Sequence, residues 1–364
     1  MKIAIDASSC AMPQSTGVGR YIRCLIRALA ALDYENHYVV CYRLSKLTKR
    51  RYFLKLDGRN FRTRLFHEPF APFLWRGLDV FHGPDARLPN VNSVPMVATL
   101  LDVFASVSDA YADETFRAMK TRRYQELAER AARIIAISEN TKREFLEHHT
   151  VADGVVRVVP LGVSPEFRPH TPEAEAAAAA KYGLDRDYLL YVGAITTRKN
   201  IRRLAAAFSK VVQDKDLLLV LAGRPGYGAD AELAAIEELG LQDRVRSLGY
   251  VDDADLPVLY SGAKLLVFPS LHEGFGLPLL EAMASGTPCV TSNVTSPPEV
   301  VGDAALLVDP LDADAIADAI LTLLRDEALY AGLSQRGLDR AKLFPWQRTA
   351  RETLAVYREV CQTR

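Results

Sequence analysis

Twice along this chain a short apolar run leads to a glycine turn and then to a segment of helical periodicity, and this repeated unit constrains the fold most. Lys2–Asp6 is followed by Gly17-Val18-Gly19 and a helix with apolar positions Tyr21, Leu25, Ile26, Leu29 and Leu32. Tyr188–Val192 runs into Gly193 and a helix from about Asn200. Further strand-like runs cover Tyr38–Tyr42, Asp79–His82, Val94–Leu100, Arg133–Ser138 and Val155–Val159 in the first half. In the second half they cover Leu217–Ala222, Lys264–Pro269 and Pro288–Thr291. Strands alternating with helical segments are the signature of parallel sheets with helical crossovers. The expected class is therefore α/β, with two Rossmann-like domains, because 364 residues exceed the usual size of one compact domain. Pro160, Pro165, Pro169 and Pro172, then the alanine-rich Ala174–Ala180, mark a linker over roughly 160–184. The expected domains are 1–165 and 166–345, with an amphipathic helix over 346–364 packing back on the first.

No apolar run approaches the ~20 residues that span a bilayer, and the N-terminal apolar stretch is too short for a secretory signal. The five cysteines (10, 24, 41, 289 and 361) are scattered and form no C-x-x-C pair, which argues against a disulfide framework or a structural zinc site. These features point to the cytoplasm. The net charge of zero hides an asymmetry: residues 1–150 hold 23 Lys/Arg against 16 Asp/Glu, an excess of seven that the remainder balances.

The most informative segment is Phe268-Pro269-Ser270-Leu271-His272-Glu273-Gly274-Phe275-Gly276-Leu277-Pro278-Leu279-Leu280-Glu281. A buried strand meets a Gly-Phe-Gly turn and then a helix, with proline in the first helical turn. The N–H groups of Gly274, Phe275, Gly276 and Leu277 would face an anion at the helix start. Carboxylates beside a bound phosphate suit hydroxyls, so Glu273 and Glu281 point to a sugar or ribose. In isolation the two also read as a cap and a solvated helix residue. The pair Gly17-Val18-Gly19 by itself reads equally as a simple loop.

The spacing Glu273 to Glu281 resembles the E-x7-E motif of retaining glycosyltransferases of family 4, formerly "group 1", with the GT-B fold. Ala284–Ser292 is similar to that family's helix-to-strand continuation. The resemblance spans nearly the whole chain and implies two parallel sheets facing across a cleft. It implies that Arg198 and Lys199, in Tyr191–Asn200, neutralise the diphosphate of a nucleotide-sugar donor, where departing negative charge needs fixed cations. It makes Gly193 and Gly223 lining residues of the donor site, Tyr250 and Val251 the base-reading strand end, and Gly17 and Gly19 a loop closing over phosphate from the opposite domain. Glu281 would hold the ribose. Glu273 would orient sugar hydroxyls and support charge at the anomeric centre, since no carboxylate nucleophile is evident. No Asp-x-Asp motif accompanies the site, so neither a metal nor a cofactor is implied. The Thr-Thr-Arg-Lys-Asn form of the basic loop resembles bacterial mannosyltransferases of polysaccharide biosynthesis and points to GDP-mannose.

One departure matters: where relatives carry His-Asp-Leu, this chain has Leu101-Asp102-Val103. Asp102 and His82 are the acceptor-side candidates, His82 reading also as a structural residue. The acceptor would be a glycan or a lipid-linked glycan. Nine basic residues and one acid lie between Arg43 and Arg64, with leucines and Phe53 interleaved and Phe70-Ala71-Pro72-Phe73-Leu74-Trp75 following. This stretch would dock on anionic lipid at the inner face of the membrane, or be a solvated basic loop, or serve as a patch for an acidic glycan. No nucleic-acid motif accompanies these charges. Alternatives of other classes are a same-fold nucleotide-sugar epimerase and a non-catalytic nucleotide-sugar sensor.

Overall fold

The computed structural model describes residues 1–14, 16–56, 58–68, 75–90, 93–152 and 154–362. Asp57, the Phe70–Leu74 part of the aromatic segment and the last two residues of the expected C-terminal helix lie outside the described residues. The chain forms two compact units: 1–107, 114–162 and 345–364 in the first, and 108–113 with 163–344 in the second.

The first unit holds β1 (Lys2–Asp6), β2 (His37–Arg43), β3 (Phe61–Phe66), β4 (Val80–Gly83), β5 (Met96–Leu100), β6 (Arg133–Ala136) and β7 (Val156–Val158). They pair in parallel in the order β3-β2-β1-β4-β5-β6-β7. The second holds β8 (Tyr188–Val192), β9 (Leu218–Ala222), β10 (Val245–Gly249), β11 (Leu265–Phe268), β12 (Cys289–Ser292) and β13 (Ala305–Val308). Their order is β10-β9-β8-β11-β12-β13, again all parallel. Helices cover both faces of such sheets, so inner strands are buried on both faces and largely apolar. β5 (MVATL) and β9 (LLVLA) are buried at every position.

Sequence periodicity misses β3 and β13, and their place explains it. Both lie at sheet edges with one neighbour each. In β3, Arg62, Thr63 and Arg64 are exposed between buried Phe61 and Phe66, as charged edge strands that resist further pairing are. The expected linker over 160–184 contains both the change of unit and the short alanine-rich helix. The change of unit falls at 162/163, and a helix over Pro172–Lys181 is capped by Thr171, whose hydroxyl accepts from the Ala174 N–H at 3.4 Å.

The first unit is tied internally by a buried polar chain. His82, on β4, is fully buried, with Nδ1 2.6 Å from the Tyr357 hydroxyl and Nε2 2.8 Å from Thr99 Oγ1. Thr99 Oγ1 lies 2.7 Å from the Tyr21 hydroxyl. This chain joins the helix Gly17–Leu32, two central strands and the helix Trp346–Gln362. Burial pushes the His82 ring down to about 3, so it stays neutral at physiological pH. Both ring nitrogens are engaged inside the unit, which gives His82 a structural task in place of the expected acceptor contact. Among the described residues no helix is long and apolar enough to cross a membrane.

Candidate active site

Strand order locates a site in the second unit. The chain passes from β8 to β9 and β10 on one side, then returns to β11 on the other. The loops after β8 and β11 therefore part at adjacent carboxyl ends, the crevice where open parallel sheets take ligands. The first loop carries Arg198 and Lys199, and the second carries Glu273.

Lys199 Nζ donates to Glu273 Oε1, and Arg198 Nη1 lies 3.1 Å from Glu273 Oε2. Arg198 Nη1 also donates to the His272 carbonyl, and the Leu271 N–H donates to the Arg198 carbonyl at 2.8 Å. Lys199 Nζ sits 4.5 Å from the centre of the Phe268 ring. The loop after β12 joins in: the Glu273 N–H donates to Thr295 Oγ1 at 3.1 Å, and the Ser296 hydroxyl donates to the Glu273 carbonyl.

The side chains of Glu273, Lys199 and Arg198 are only 9%, 10% and 16% exposed. Burial alone would raise the Glu273 carboxyl. Lys199 first and Arg198 second outweigh it and hold the group down to about 2. Glu273 is thus ionised at any working pH, and two cations facing one carboxylate leave a net positive charge in a desolvated pocket. Such a site stabilises an incoming or developing anion far more than water does. Among the described residues no group of three or more His, Cys, Asp or Glu is placed to hold a metal ion.

Backbone strain marks the same place. Three described non-glycine residues have positive φ, and two of them, Asn200 (φ 63°) and Thr295 (φ 57°), flank this site. Asparagine tolerates that region, whereas a β-branched residue there is an outlier held by its surroundings. Asn200 is 2% exposed; its Nδ2 donates to the carbonyls of Pro269 (2.9 Å) and Pro310 (2.7 Å), and its Oδ1 accepts from Arg203 at 3.1 Å. Neither Asn200 nor Thr295 stands out in the sequence as a site residue, because what identifies them is a dihedral angle and distant partners. Thr196 Oγ1, in the same loop, is buried with no hydrogen-bond partner among the described residues.

The remaining expected residues fall in several places. Gly276 (φ 111°) caps the helix Leu277–Ala284, a left-handed geometry that glycine adopts without strain. Phe275 is buried against Phe344, with ring centroids 6.1 Å apart, so Gly274, Phe275, Gly276 and Leu277 have backbone rather than aromatic groups to offer a ligand. Glu281 is 3% exposed and its Oε2 accepts from the Tyr260 hydroxyl at 2.9 Å. Val251 is buried and Tyr250 half-buried at the end of β10, with the Arg224 guanidinium 5.6 Å from the Tyr250 ring centre. In the first unit, Gly19 donates its N–H to Thr16 Oγ1 at the start of the helix Gly17–Leu32. Asp102 there accepts from the Tyr124 hydroxyl at 3.3 Å.

Gly193 and Gly223 have a steric reason to be glycine. A Cβ on Gly223 would lie 1.7 Å from the Gly193 carbonyl oxygen, and the Gly193 N–H donates to the Ala222 carbonyl at 3.0 Å. Gly223→Ala must force these loops apart, at roughly 1–3 kcal/mol. The expected result is a lower melting temperature and weakened donor binding. A Cβ on Gly17 meets nothing within 4 Å, so Gly17→Ala should melt close to the wild type. Thermal unfolding of the two variants tests the contrast, and equal melting temperatures would refute it.

Comparison with known proteins accounts for the arrangement. The Glycosyltransferase Family 4 model matches residues 15–167, and the Glycosyl transferases group 1 model matches residues 175–340. The O-antigen chain mannosyltransferase B of Escherichia coli is 35% identical over 282 residues, 77% of this chain and 74% of that protein. The MMP alpha-(1->4)-mannosyltransferase of Mycolicibacterium hassiacum is 34% identical over 244 residues, 64% of this chain and 56% of that one. Among solved structures, sucrose-phosphate synthase from Thermosynechococcus elongatus superposes with a TM-score of 0.80 at 25% identity, covering all of both chains. An Anabaena protein solved with UDP and glucose superposes with a TM-score of 0.76 at 18% identity, over 98% of this chain and 99% of its own, an agreement of fold. With both halves matched by family models and a relative 35% identical over 77% of its length, this chain belongs to the family 4, group 1 glycosyltransferases of GT-B fold.

Proposed function

We propose that this glycosyltransferase moves a mannosyl unit from GDP-mannose to a hydroxyl of a glycan or lipid-linked acceptor in cell-surface polysaccharide synthesis. The second unit takes the donor and the first takes the acceptor. The observation that carries the reading is the buried Lys199–Glu273–Arg198 group at the β8/β11 switch point. Its surplus positive charge suits the diphosphate, and Arg198 can contact two phosphate oxygens while Lys199 acts as a point charge. Carboxylates have about four acceptor positions, so Glu281 can hold ribose hydroxyls alongside its bond from Tyr260. The mannosyl assignment draws on the two mannosyltransferase relatives.

The reaction retains configuration and needs no metal. The bond from the anomeric carbon to the phosphate oxygen breaks as the acceptor oxygen bonds to the same face, and the acceptor proton passes to the leaving phosphate. A carboxylate held down to about 2 and engaged by two cations is a poor nucleophile and no proton donor, which favours this course over double displacement. Glu273 instead orients the sugar and opposes positive charge at the anomeric centre. In the first unit, Asp102 is the acceptor-side contact proposed, and the exposed Leu44, Leu47, Arg50, Arg51, Lys55, Arg62 and Arg64 are the surface proposed to meet anionic lipid.

A thermal-shift screen with GDP-, UDP-, ADP- and dTDP-sugars tests the donor. Selective stabilisation by GDP-mannose is expected, near 2.7 kcal/mol at about a hundredfold excess over Kd. Selective stabilisation by a UDP-sugar would overturn the base and sugar assignment. Cosedimentation with anionic vesicles at low salt tests the lipid contact, and its absence would remove that part.

A further inference from the structure

The first unit has a switch point of its own, between β1 and β4, and a group of charges lies at its carboxyl ends. Asp6 ends β1, Arg43 ends β2, and the turn Pro84-Asp85-Ala86-Arg87 follows β4. Arg43 Nε lies 3.3 Å from Asp6 Oδ2, and Arg43 Nη1 pairs with Glu68. Ser9 Oγ donates to Asp85 Oδ2 at 2.5 Å, and Arg87 Nε is 3.3 Å from the same oxygen. Lys46 and Lys49, from the short helical segment Leu44–Tyr52, and Arg123, from the helix Glu114–Arg130, are close enough to feel these charges.

All five cations are half-buried, and they repel one another. Burial, then Lys49 and Arg87, pull the Lys46 amine below its ordinary value, with Asp6 and Asp85 opposing. Burial, then Arg87 and later Arg43, do the same to Arg123, with Asp85 and Glu126 opposing. Against five cations stand Asp6, Asp85, Glu68 and, beside Arg123, Glu126, and burial makes the Asp6 carboxyl itself harder to ionise. A protein that partly desolvates so many like charges stabilises them with an anion.

Two further observations point the same way. Arg87 Nε is shielded from solvent, and it meets Asp85 Oδ2 as an ion pair at 3.3 Å without an aligned hydrogen bond. Ala86, between the two charged residues of the turn, sits at φ 59°, and its N–H donates to the Thr99 carbonyl at 3.0 Å. The turn closes so tightly that a Cβ on Gly83 would fall 1.9 Å from the Arg87 carbonyl oxygen. Strain of this kind persists where the surroundings impose it and clusters at ligand sites.

We propose that Arg43, Lys46, Arg87 and Arg123 form a binding site for a phosphate or diphosphate group carried by the acceptor. Arginine forks match phosphate oxygens two at a time, while Asp6 and Asp85 orient Arg43 and Arg87, much as Glu273 holds the cations of the donor site. Only the naming of the anion's carrier as the acceptor rests on the transferase reading; the site itself stands on the first unit alone.

The test uses the full chain and inorganic pyrophosphate, titrated calorimetrically in the presence of a saturating nucleoside diphosphate so that the donor site is filled. Pyrophosphate should bind, weakening as salt rises. Arg87→Gln and Arg123→Gln should each weaken it about tenfold or more, while Arg87→Lys retains part of the affinity. An unchanged thermal shift with the nucleoside diphosphate shows that these variants fold. No pyrophosphate binding to the wild type, or binding that both glutamine variants leave untouched, would overturn the proposal. So would vesicles containing phosphatidylglycerol that bind through Arg87 and Arg123 while pyrophosphate does not, since the cluster would then meet lipid headgroups. A wild type that no nucleoside diphosphate stabilises would remove the donor reading and still leave the pyrophosphate titration to decide this one.

Discussion

Glu273→Gln is expected to lower transfer by about 10²–10³-fold, the scale of losing one preorganised electrostatic group, while leaving donor binding measurable. The carboxylate accepts from Lys199 and faces Arg198 at 3.1 Å. Glutamine keeps the shape and removes the charge, so both cations lose the group that aims them. Removing one partner of a buried ion pair costs about 3–5 kcal/mol, and a lower melting temperature should accompany the loss of rate. Its pH dependence follows from the direction of the shift. The folded value of about 2 lies below the ordinary 4.5, so the stabilisation is complete above the ordinary value and is lost as pH falls towards 2. The gap in melting temperature between wild type and Glu273→Gln should therefore be widest at neutral pH, narrow below about pH 4.5 and close only as pH approaches 2. Product formation and melting curves across that range provide the check. Transfer near the wild-type rate in the variant would remove Glu273 from the catalytic group.

Asn200→Ala should destabilise the second unit by roughly 3 kcal/mol and slow transfer, although Asn200 has no expected contact with substrate. Its amide serves the Pro269 and Pro310 carbonyls and accepts from Arg203. Alanine leaves two buried carbonyls unsatisfied and must also hold φ 63°. Asn200→Gly relieves the dihedral strain while losing the same bonds, so the difference between the two variants isolates the backbone contribution. Asn200→Asp places carboxylate oxygens against carbonyls and should be no better than alanine. Denaturant melts with donor-binding measurements test the series. A destabilised Asn200→Ala with full transfer would show that the clamp serves stability alone and does not position Arg198 and Lys199.

The donor-site loop is legible in the sequence because its groups are contiguous. Strand Leu265–Phe268, a Gly-Phe-Gly turn and a helix opening with Leu277-Pro278 form one local unit, and local units leave local patterns. Glu281 is legible as a site candidate for the same reason, although its bond from Tyr260 is not. The Asn200 clamp is a different case, since its partners lie 69 and 110 residues away. His82 is another: the strand end is visible, but the helix that buries its ring is supplied 275 residues later by Tyr357. The edge strand Phe61–Phe66 escapes because three consecutive side chains, Arg62, Thr63 and Arg64, are exposed, so its arginines mask the apolar run that inner strands show.

By itself the sequence determined the α/β class, the repeated strand-glycine-helix plan, the family and the identity of Glu273, Arg198 and Lys199 as one candidate site. The tertiary structure decided what those residues do to one another: that Glu273 is held ionised well below the ordinary carboxylate range, that Asn200 holds the basic loop, that His82 is structural, and that five cations from three segments act on one another in the first unit. The reason is physical. Periodicity and turn chemistry act over a few residues and are written in order along the chain, whereas ionisation, strain and charge clustering depend on burial and on neighbours that only folding brings together.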